Sequence, residues 1–283
     1  MSETFLSELT GSFSTPSAGN PTVAMVEAAY KHHKLNFRYI NCEVQSNDLS
    51  NAILGARAMN WAGFNLSIPH KVSVIKYLDG LGESAEIMGA VNCVVNRDGK
   101  LIGENTDGKG FLQAFKKVDS ASGKKIAILG AGGAARAIAV ELALDGAKDF
   151  TIVNRDATRG GELANLLVKK LSASAKYVAW SPKFRIPDYI DVVINATSVG
   201  MADSGSYDLD IDLGTITKNM IVADVIVNPP QTNLLQSAAK VGAKTIDGLG
   251  MVVNQAVIGV KYWTNFEVDP AIMHAELKRV LKL

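Results

Sequence analysis

The sequence predicts an α/β protein of two domains with a cleft between them: an N-terminal α/β domain and a C-terminal domain built on a doubly wound parallel sheet. Three observations lead there. Residues 126–137 read IAILGAGGAARA, an apolar strand that runs into a glycine-rich turn and then a small-residue helix. This unit lies near the middle of the 283 residues, so the chain ahead of it must form a domain of its own. Helix-like and strand-like segments alternate on both sides of it, which is the pattern of βαβ layering.

Taken in order, Val23 to Tyr30 and Leu49 to Met59 carry apolar residues at helical spacing, while Phe37 to Val44 and Ala62 to Asn65 are short and strand-like. Residues 90–107, AVNCVVNRDGKLIGENTD, form a β-hairpin, because Asp98-Gly99 is a tight-turn pair between two apolar runs. After the glycine-rich turn come strands near Phe150 to Val153, Val192 to Asn195, Ile221 to Val225 and Lys244 to Ile246, with helices near Ala157 to Leu171 and Thr232 to Val241. The last two segments, Met251 to Tyr262 and Pro270 to Leu281, are helical with no strand after them, which leaves them free to pack on the first domain. The predicted boundaries are 1–107, joined by 251–283, and 108–250.

Composition narrows the function classes. Apolar residues make up 47% and charged residues 20% of the chain, as in a well-packed globular protein. A net charge of +1 from 29 basic and 28 acidic residues offers no field for nucleic acid or an anionic membrane. No basic segment leads into an apolar stretch at the N-terminus, and no apolar run approaches membrane-spanning length, so a cytoplasmic protein is expected. Cys42 and Cys93 are too few for a disulfide framework and read as buried thiols. His32, His33, His70 and His274 have no ligand spacing, and no metal site is expected.

The turn carries Gly130, Gly132 and Ala135 in the spacing G-x-G-x-x-A, with Ala131, Gly133 and Ala134 between them. In the Rossmann dinucleotide fingerprint the first glycine makes the tight turn. The second lets the backbone approach a pyrophosphate, and the third small residue lets helix and strand pack closely. Free N–H groups at the helix start then face the phosphates. A nicotinamide cofactor needs a titratable partner to move a proton as hydride moves. Two polar segments of the first domain offer one: Asn65 to Lys71, in which Pro69 starts a helix and Lys71 lies in its first turn, and Gly103 to Gly108, which contains Asp107. A lysine in the first turn opposes the helix dipole, and an aspartate paired with it would hold the ammonium in place. On these residues alone, a solvated lysine and a turn aspartate remain the alternative.

Several motifs in order resemble the shikimate and quinate/shikimate dehydrogenase family over nearly the whole chain. These are Asn65 to Lys71 (NLSIPHK), Gly89 to Cys93 (GAVNC), Gly103 to Gly110 (GENTDGKG), Gly130 to Ala137 (GAGGAARA), Asn154-Arg155, Ile194 to Met201 (INATSVGM), Asp224 to Leu235, and Gly248 to Ala256 (GLGMVVNQA). The resemblance implies reversible NAD(P)-linked oxidation of shikimate to 3-dehydroshikimate, or action on quinate or a related hydroxylated carboxylate. Lys71 would be the general acid/base paired with Asp107. Ser67, Asn92 and Gln255 would bind ring hydroxyls, with Asn20 and Thr22 at the ring carboxylate. Gly130, Ala131, Gly132, Gly133, Ala134, Asn154, Arg155, Asp156, Arg159, Thr197, Val225, Gly248 and Met251 would bind the cofactor. The partners are then a small molecule and no nucleic acid or membrane, with the chain a monomer or homodimer.

The chain departs from the family pattern at three places. Asn20 and Thr22 stand where the family has a Ser-x-Ser pair for the carboxylate, and Val227 stands where it usually has a tyrosine. Both replacements in the pair can still donate to a carboxylate, while the tyrosine's polar contact is lost, which leaves the substrate open between shikimate and quinate or another hydroxylated carboxylate. At the cofactor, Arg155 and Arg159 suit the 2′-phosphate of NADP. Asp156 either repels that phosphate or caps the following helix. NADP is expected, with NAD or dual use as the alternative.

Overall fold

The computed structural model describes residues 5–201 and 208–283. Two compact units result: residues 1–106 with 253–283, and residues 107–252.

The first unit opens with β1 (Glu8–Ser14), α1 (Thr22–His32), β2 (Phe37–Glu43), α2 (Leu49–Ala58) and β3 (Gly63–Leu66). It continues through the one-turn helix α3 (His70–Ser73), β4 (Gly80–Leu81), α4 (Glu83–Met88), β5 (Cys93–Arg97) and β6 (Lys100–Glu104). Its six-stranded sheet runs β2-β1-β3-β5-β6-β4. The β1 strand pairs in parallel with β2 and β3, while β3, β5 and β6 are antiparallel neighbours. The expected hairpin is present: Asp98 and Gly99 have φ of 54° and 84°, the left-handed pair that a two-residue turn between twisted strands requires. Strand β1 was not among the expected elements. Its buried positions include Thr10, Ser12 and Ser14, which gave no hydrophobic alternation. Thr10 and Ser12 are satisfied across the sheet instead: Thr10 Oγ1 donates to Arg38 O at 2.8 Å, and Ser12 Oγ donates to Asn41 Oδ1 at 2.8 Å.

The second unit comprises α5 (Asp107–Lys116), β7 (Lys125–Leu129), α6 (Gly133–Leu144), β8 (Asp149–Asn154), α7 (Ala157–Leu171), β9 (Ser174–Ala179), β10 (Val192–Asn195), β11 (Ile221–Asp224), α8 (Asn233–Lys240) and β12 (Lys244–Ile246). Every strand pair is parallel, in the order β9-β8-β7-β10-β11-β12. Counted from β7, this is the 3-2-1-4-5-6 order of the doubly wound dinucleotide fold. The α6 helix can lie close on this sheet because Ala135, Ile138, Ala139 and Leu142 are all fully buried against Ile126 and Ile128. Strand β9 carries no sequence signature: SAKYVA is an edge strand without a fully buried residue, so it lacks an apolar run.

Helices α9 (Gly248–Thr264) and α10 (Pro270–Leu281) close the chain. Asp269 caps α10 by accepting from Ala271 N at 2.8 Å, with Pro270 at the first helical position, where its missing N–H costs nothing. Within the first unit, α10 packs on α1 and buries Met273 and Leu277. Trp263 of α9 lies against β3 and donates from Nε1 to Val94 O at 2.9 Å. Only a glycine fits beneath it. A Cβ at Gly63 would stand 2.3 Å from both the Trp263 ring and Val94 O. Gly63→Ala is therefore expected to destabilise the protein by about 1–3 kcal/mol, the usual cost of forcing atoms into a packed site, measured as a lower urea midpoint at unchanged m-value.

Candidate active site and cofactor site

In the first unit the strand ends gather polar side chains. Asn65, at the end of β3, is tied on both sides: its Oδ1 accepts from Tyr39 Oη at 2.9 Å and its Nδ2 donates to Asn92 O at 3.0 Å. Asn92 in turn donates from Nδ2 to Thr106 Oγ1 at 3.0 Å, and its Oδ1 accepts from Thr106 N at 2.6 Å. Thr106 Oγ1 lies 3.3 Å from Gln255 Oε1 on α9, so residues 149 positions apart meet in one buried cluster. Asn92 and Gln255, both expected at the substrate, are thus brought together. Thr106 and Asn65, which lie in the same family motifs but carry no expected role, join them.

Ser67 precedes the short helix α3, and Lys71 lies within it. Ser67 O accepts from His70 N at 2.8 Å, and Lys71 O accepts from Val91 N at 2.8 Å, which ties the lysine's backbone to the residue before Asn92. Lys71 is half-buried and lies in the first turn, as expected, but that helix is a single turn with few peptide dipoles to align. His70 is fully buried, with Nε2 2.8 Å from Val44 O, a structural role. Asn20 and Thr22 belong to a second polar group. Asn20 Oδ1 accepts from Thr22 N at 3.0 Å, and Nδ2 reaches Ser12 Oγ at 3.3 Å. Asn41 Nδ2 donates to Asn20 O at 3.0 Å.

In the second unit, Asp107 is the first residue of α5, and the glycine turn follows β7. Gly130 has φ of 106°, a backbone that L side chains rarely adopt, and a Cβ there would meet Thr197 Cγ2 at 3.0 Å and Ala196 O at 3.1 Å. Gly132 and Gly133 instead face open space, with no atom within 4 Å of a built Cβ, at the N-terminus of α6. Room beside bare backbone N–H groups at a helix start is what a dinucleotide pyrophosphate needs. Ala134 is half-buried beside them, and Ala131 packs in the same apolar cluster as Met251. Gly248 starts α9 so close to the Val225 and Ile226 carbonyls, 2.6 and 2.4 Å from a built Cβ, that no side chain fits.

At the far end of this edge, Asn154 Nδ2 donates to Asp156 O at 2.9 Å. Asp156 Oδ1 caps α7 by accepting from Arg159 N at 3.1 Å, and its Oδ2 lies 3.6 Å from Arg159 Nε. The carboxylate is therefore committed to the helix, the second of the two roles open to it. Arg155 is exposed.

A buried network links the loops after β10 and β11. Asp224 Oδ1 accepts from Asn195 Nδ2 at 2.9 Å and Ile226 N at 3.1 Å, and Oδ2 accepts from Thr232 Oγ1 at 2.7 Å. Asn195 Oδ1 accepts from Thr197 Oγ1 at 2.7 Å. Burial raises the Asp224 carboxyl from 3.8 to about 6, against the opposing pull of its three hydrogen-bond donors.

A doubly wound sheet with a bare-backbone helix terminus, in one chain with a unit bearing a lysine and a buried polar cluster, defines a nicotinamide-dependent dehydrogenase class. Family models match in three stretches: shikimate dehydrogenase substrate binding domain at residues 19–94, shikimate / quinate 5-dehydrogenase at 113–249, and shikimate 5′-dehydrogenase C-terminal domain at 248–278. The shikimate dehydrogenase (NADP(+)) of Alkaliphilus oremlandii is 39% identical over 261 residues, 91% of each chain. The ligand-free 5-ketofructose reductase of Gluconobacter sp. strain CHM43 is 55% identical, with a TM-score of 0.95 over 98% of this chain and 100% of that one. A shikimate dehydrogenase in complex with NADP+ is 36% identical, with a TM-score of 0.90 over 97% and 96%. The chain belongs to the shikimate dehydrogenase family of oxidoreductases. Family, fold class and reaction type are as expected from its sequence, and the curated relatives are NADP-dependent as expected.

The Asp224 environment yields a pH prediction. Its folded pKa lies above the unfolded one, so its contribution to stability is fullest below pH 3.8 and is lost as pH rises through about 6. Asp224→Asn cannot ionise. Relative to wild type it should gain on the order of 3 kcal/mol between pH 3.5 and 7, because each tenfold change in proton affinity is worth about 1.36 kcal/mol. Urea midpoints at both pH values provide the measurement. A difference that stays constant with pH would refute the perturbation.

Proposed function

We propose that the chain catalyses reversible NADP-linked interconversion of a ketone and a secondary alcohol on a small polyhydroxylated compound, with 5-ketofructose the first substrate to test. The single observation that carries this is the 55% identity over 98% of the chain to a 5-ketofructose reductase. Asn20, Thr22 and Val227 support it. They stand where the family resemblance assigns a carboxylate-binding hydroxyl pair and a tyrosine, and a neutral ketose has no carboxylate to bind. Asn20 is further drawn into the protein by Ser12 and Asn41, so it presents an amide on a braced loop.

In this reading Lys71 is the general acid/base and Asp107 the second catalytic group. Gly130, Ala131, Gly132, Gly133 and Ala134, with Thr197, Val225, Gly248 and Met251, would hold NADPH, which would supply the hydride. Lys71 gives its proton to the carbonyl oxygen as the carbon is reduced, and takes it back in the oxidative direction. Ser67, Asn92 and Gln255 hydrogen-bond hydroxyls, with Asn20 and Thr22 at the end where the family binds its carboxylate. Such donors and acceptors reject analogues that lack the matching groups. Asn154, Arg155 and Arg159 serve the adenosine ribose. NADP is favoured because the capping role of Asp156 takes up its carboxylate.

A second reading, oxidation of shikimate to 3-dehydroshikimate, is favoured by the matching family models and by the curated relatives. Initial rates separate the two. With NADPH, kcat/KM for 5-ketofructose should far exceed kcat/KM for shikimate with NADP, and a large preference for shikimate would establish the second reading instead. In either case Lys71→Ala should lower kcat by about 10²–10⁴-fold while leaving the urea midpoint near that of wild type.

A further inference from the structure

Trp180 has no place among the family motifs. It follows directly on β9, as Arg155 follows on β8, and the ladder pairs Asn154 with Ala179, so the two residues emerge side by side at the carboxyl edge of the sheet. Trp180 N donates to Asn154 O at 3.1 Å. Tyr177 Oη donates to the same carbonyl at 3.2 Å, beneath a Gly160 where a Cβ would stand 2.4 Å from the tyrosine ring. The backbone that carries Arg155 is thus held from below.

The indole is held as well. Its Nε1 donates to Asp210 O at 2.9 Å, and its partly buried ring packs against the apolar cluster that contains Phe184 and Ile211. The Arg155 guanidinium carbon lies over this ring, 5.7 Å from its centroid, within the range of cation–π attraction. Among the described residues no carboxylate pairs with Arg155. An aromatic face engages the π surface of a guanidinium and leaves the N–H donors at its edge for a phosphate.

From this geometry we propose that Trp180 is a positioning residue for cofactor selectivity: its fixed ring holds the Arg155 guanidinium where it receives the 2′-phosphate of NADP. The proposal rests on the reading that Arg155 binds that phosphate. Trp180 itself acts only through Arg155. Its removal lets a long, exposed side chain sample many rotamers, and the loss falls on the phosphorylated cofactor alone.

Dissociation constants of NADPH and NADH for wild type, Trp180→Leu, Trp180→Phe, Arg155→Ala and the Arg155→Ala/Trp180→Leu pair provide the test. Trp180→Leu should weaken NADPH by about 2–5-fold, the value of an exposed cation–π contact, and leave NADH unchanged. Trp180→Phe, which keeps a ring, should retain most of the NADPH preference. The double variant should lose no more NADPH affinity than Arg155→Ala does alone. Equal weakening of both cofactors by Trp180→Leu, or no weakening of either, overturns the proposal while an NADPH-selective loss in Arg155→Ala leaves the underlying reading intact. If Arg155→Ala does not alter the NADPH-to-NADH ratio, the underlying reading itself fails, and the proposal with it.

Discussion

The second unit depends on one backbone constraint, the bare Cα of Gly130 between β7 and α6. The strand leaves the sheet there at φ 106° and passes within van der Waals reach of Ala196 and Thr197. Any side chain would both strain the turn and push the β10 loop away. Because this crossing is tight, the α6 N-terminus opens at the point where strand order reverses, between β7 and its neighbour β10. Ligands of doubly wound sheets bind at such a reversal, since the loops on either side diverge and leave a crevice.

The loops around that point are braced by polar side chains rather than by apolar packing. Asp224, Asn195, Thr197 and Thr232 form a hydrogen-bonded series that spans two strand ends and a helix start. A backbone that must stay open toward a ligand cannot bury its polar groups in secondary structure, so side chains take over that task. The elevated pKa of Asp224 reflects the same compromise. Its carboxyl is buried to join the loops, and the donors around it offset only part of the desolvation.

The first unit uses the same device at the ends of β1, β2 and β3. Ser12, Asn41 and Asn20 form one polar group, and Asn65, Asn92, Thr106 and Gln255 form another. Their burial explains why β1 escaped detection. A strand that feeds a polar site carries serine and threonine where hydrophobic alternation is expected. The edge strand β9 escaped for the complementary reason, since half-exposed positions need no apolar run. By contrast, the Asp98-Gly99 hairpin and the α7 and β10 boundaries were legible, because each is set by local turn chemistry or by an uninterrupted apolar core segment.

From the sequence alone came the family, the doubly wound half, the lysine and aspartate expected to act in catalysis, and the unusual Asn20, Thr22 and Val227. All of these are properties of residue type and spacing along the chain. Only the tertiary structure decided that Thr106 meets Gln255 from 149 residues away and that Trp180 lies beneath Arg155. Those relations depend on strand register and on which elements become neighbours. A linear pattern does not encode them, because the contacts arise only once strands and helices distant in sequence have packed against one another.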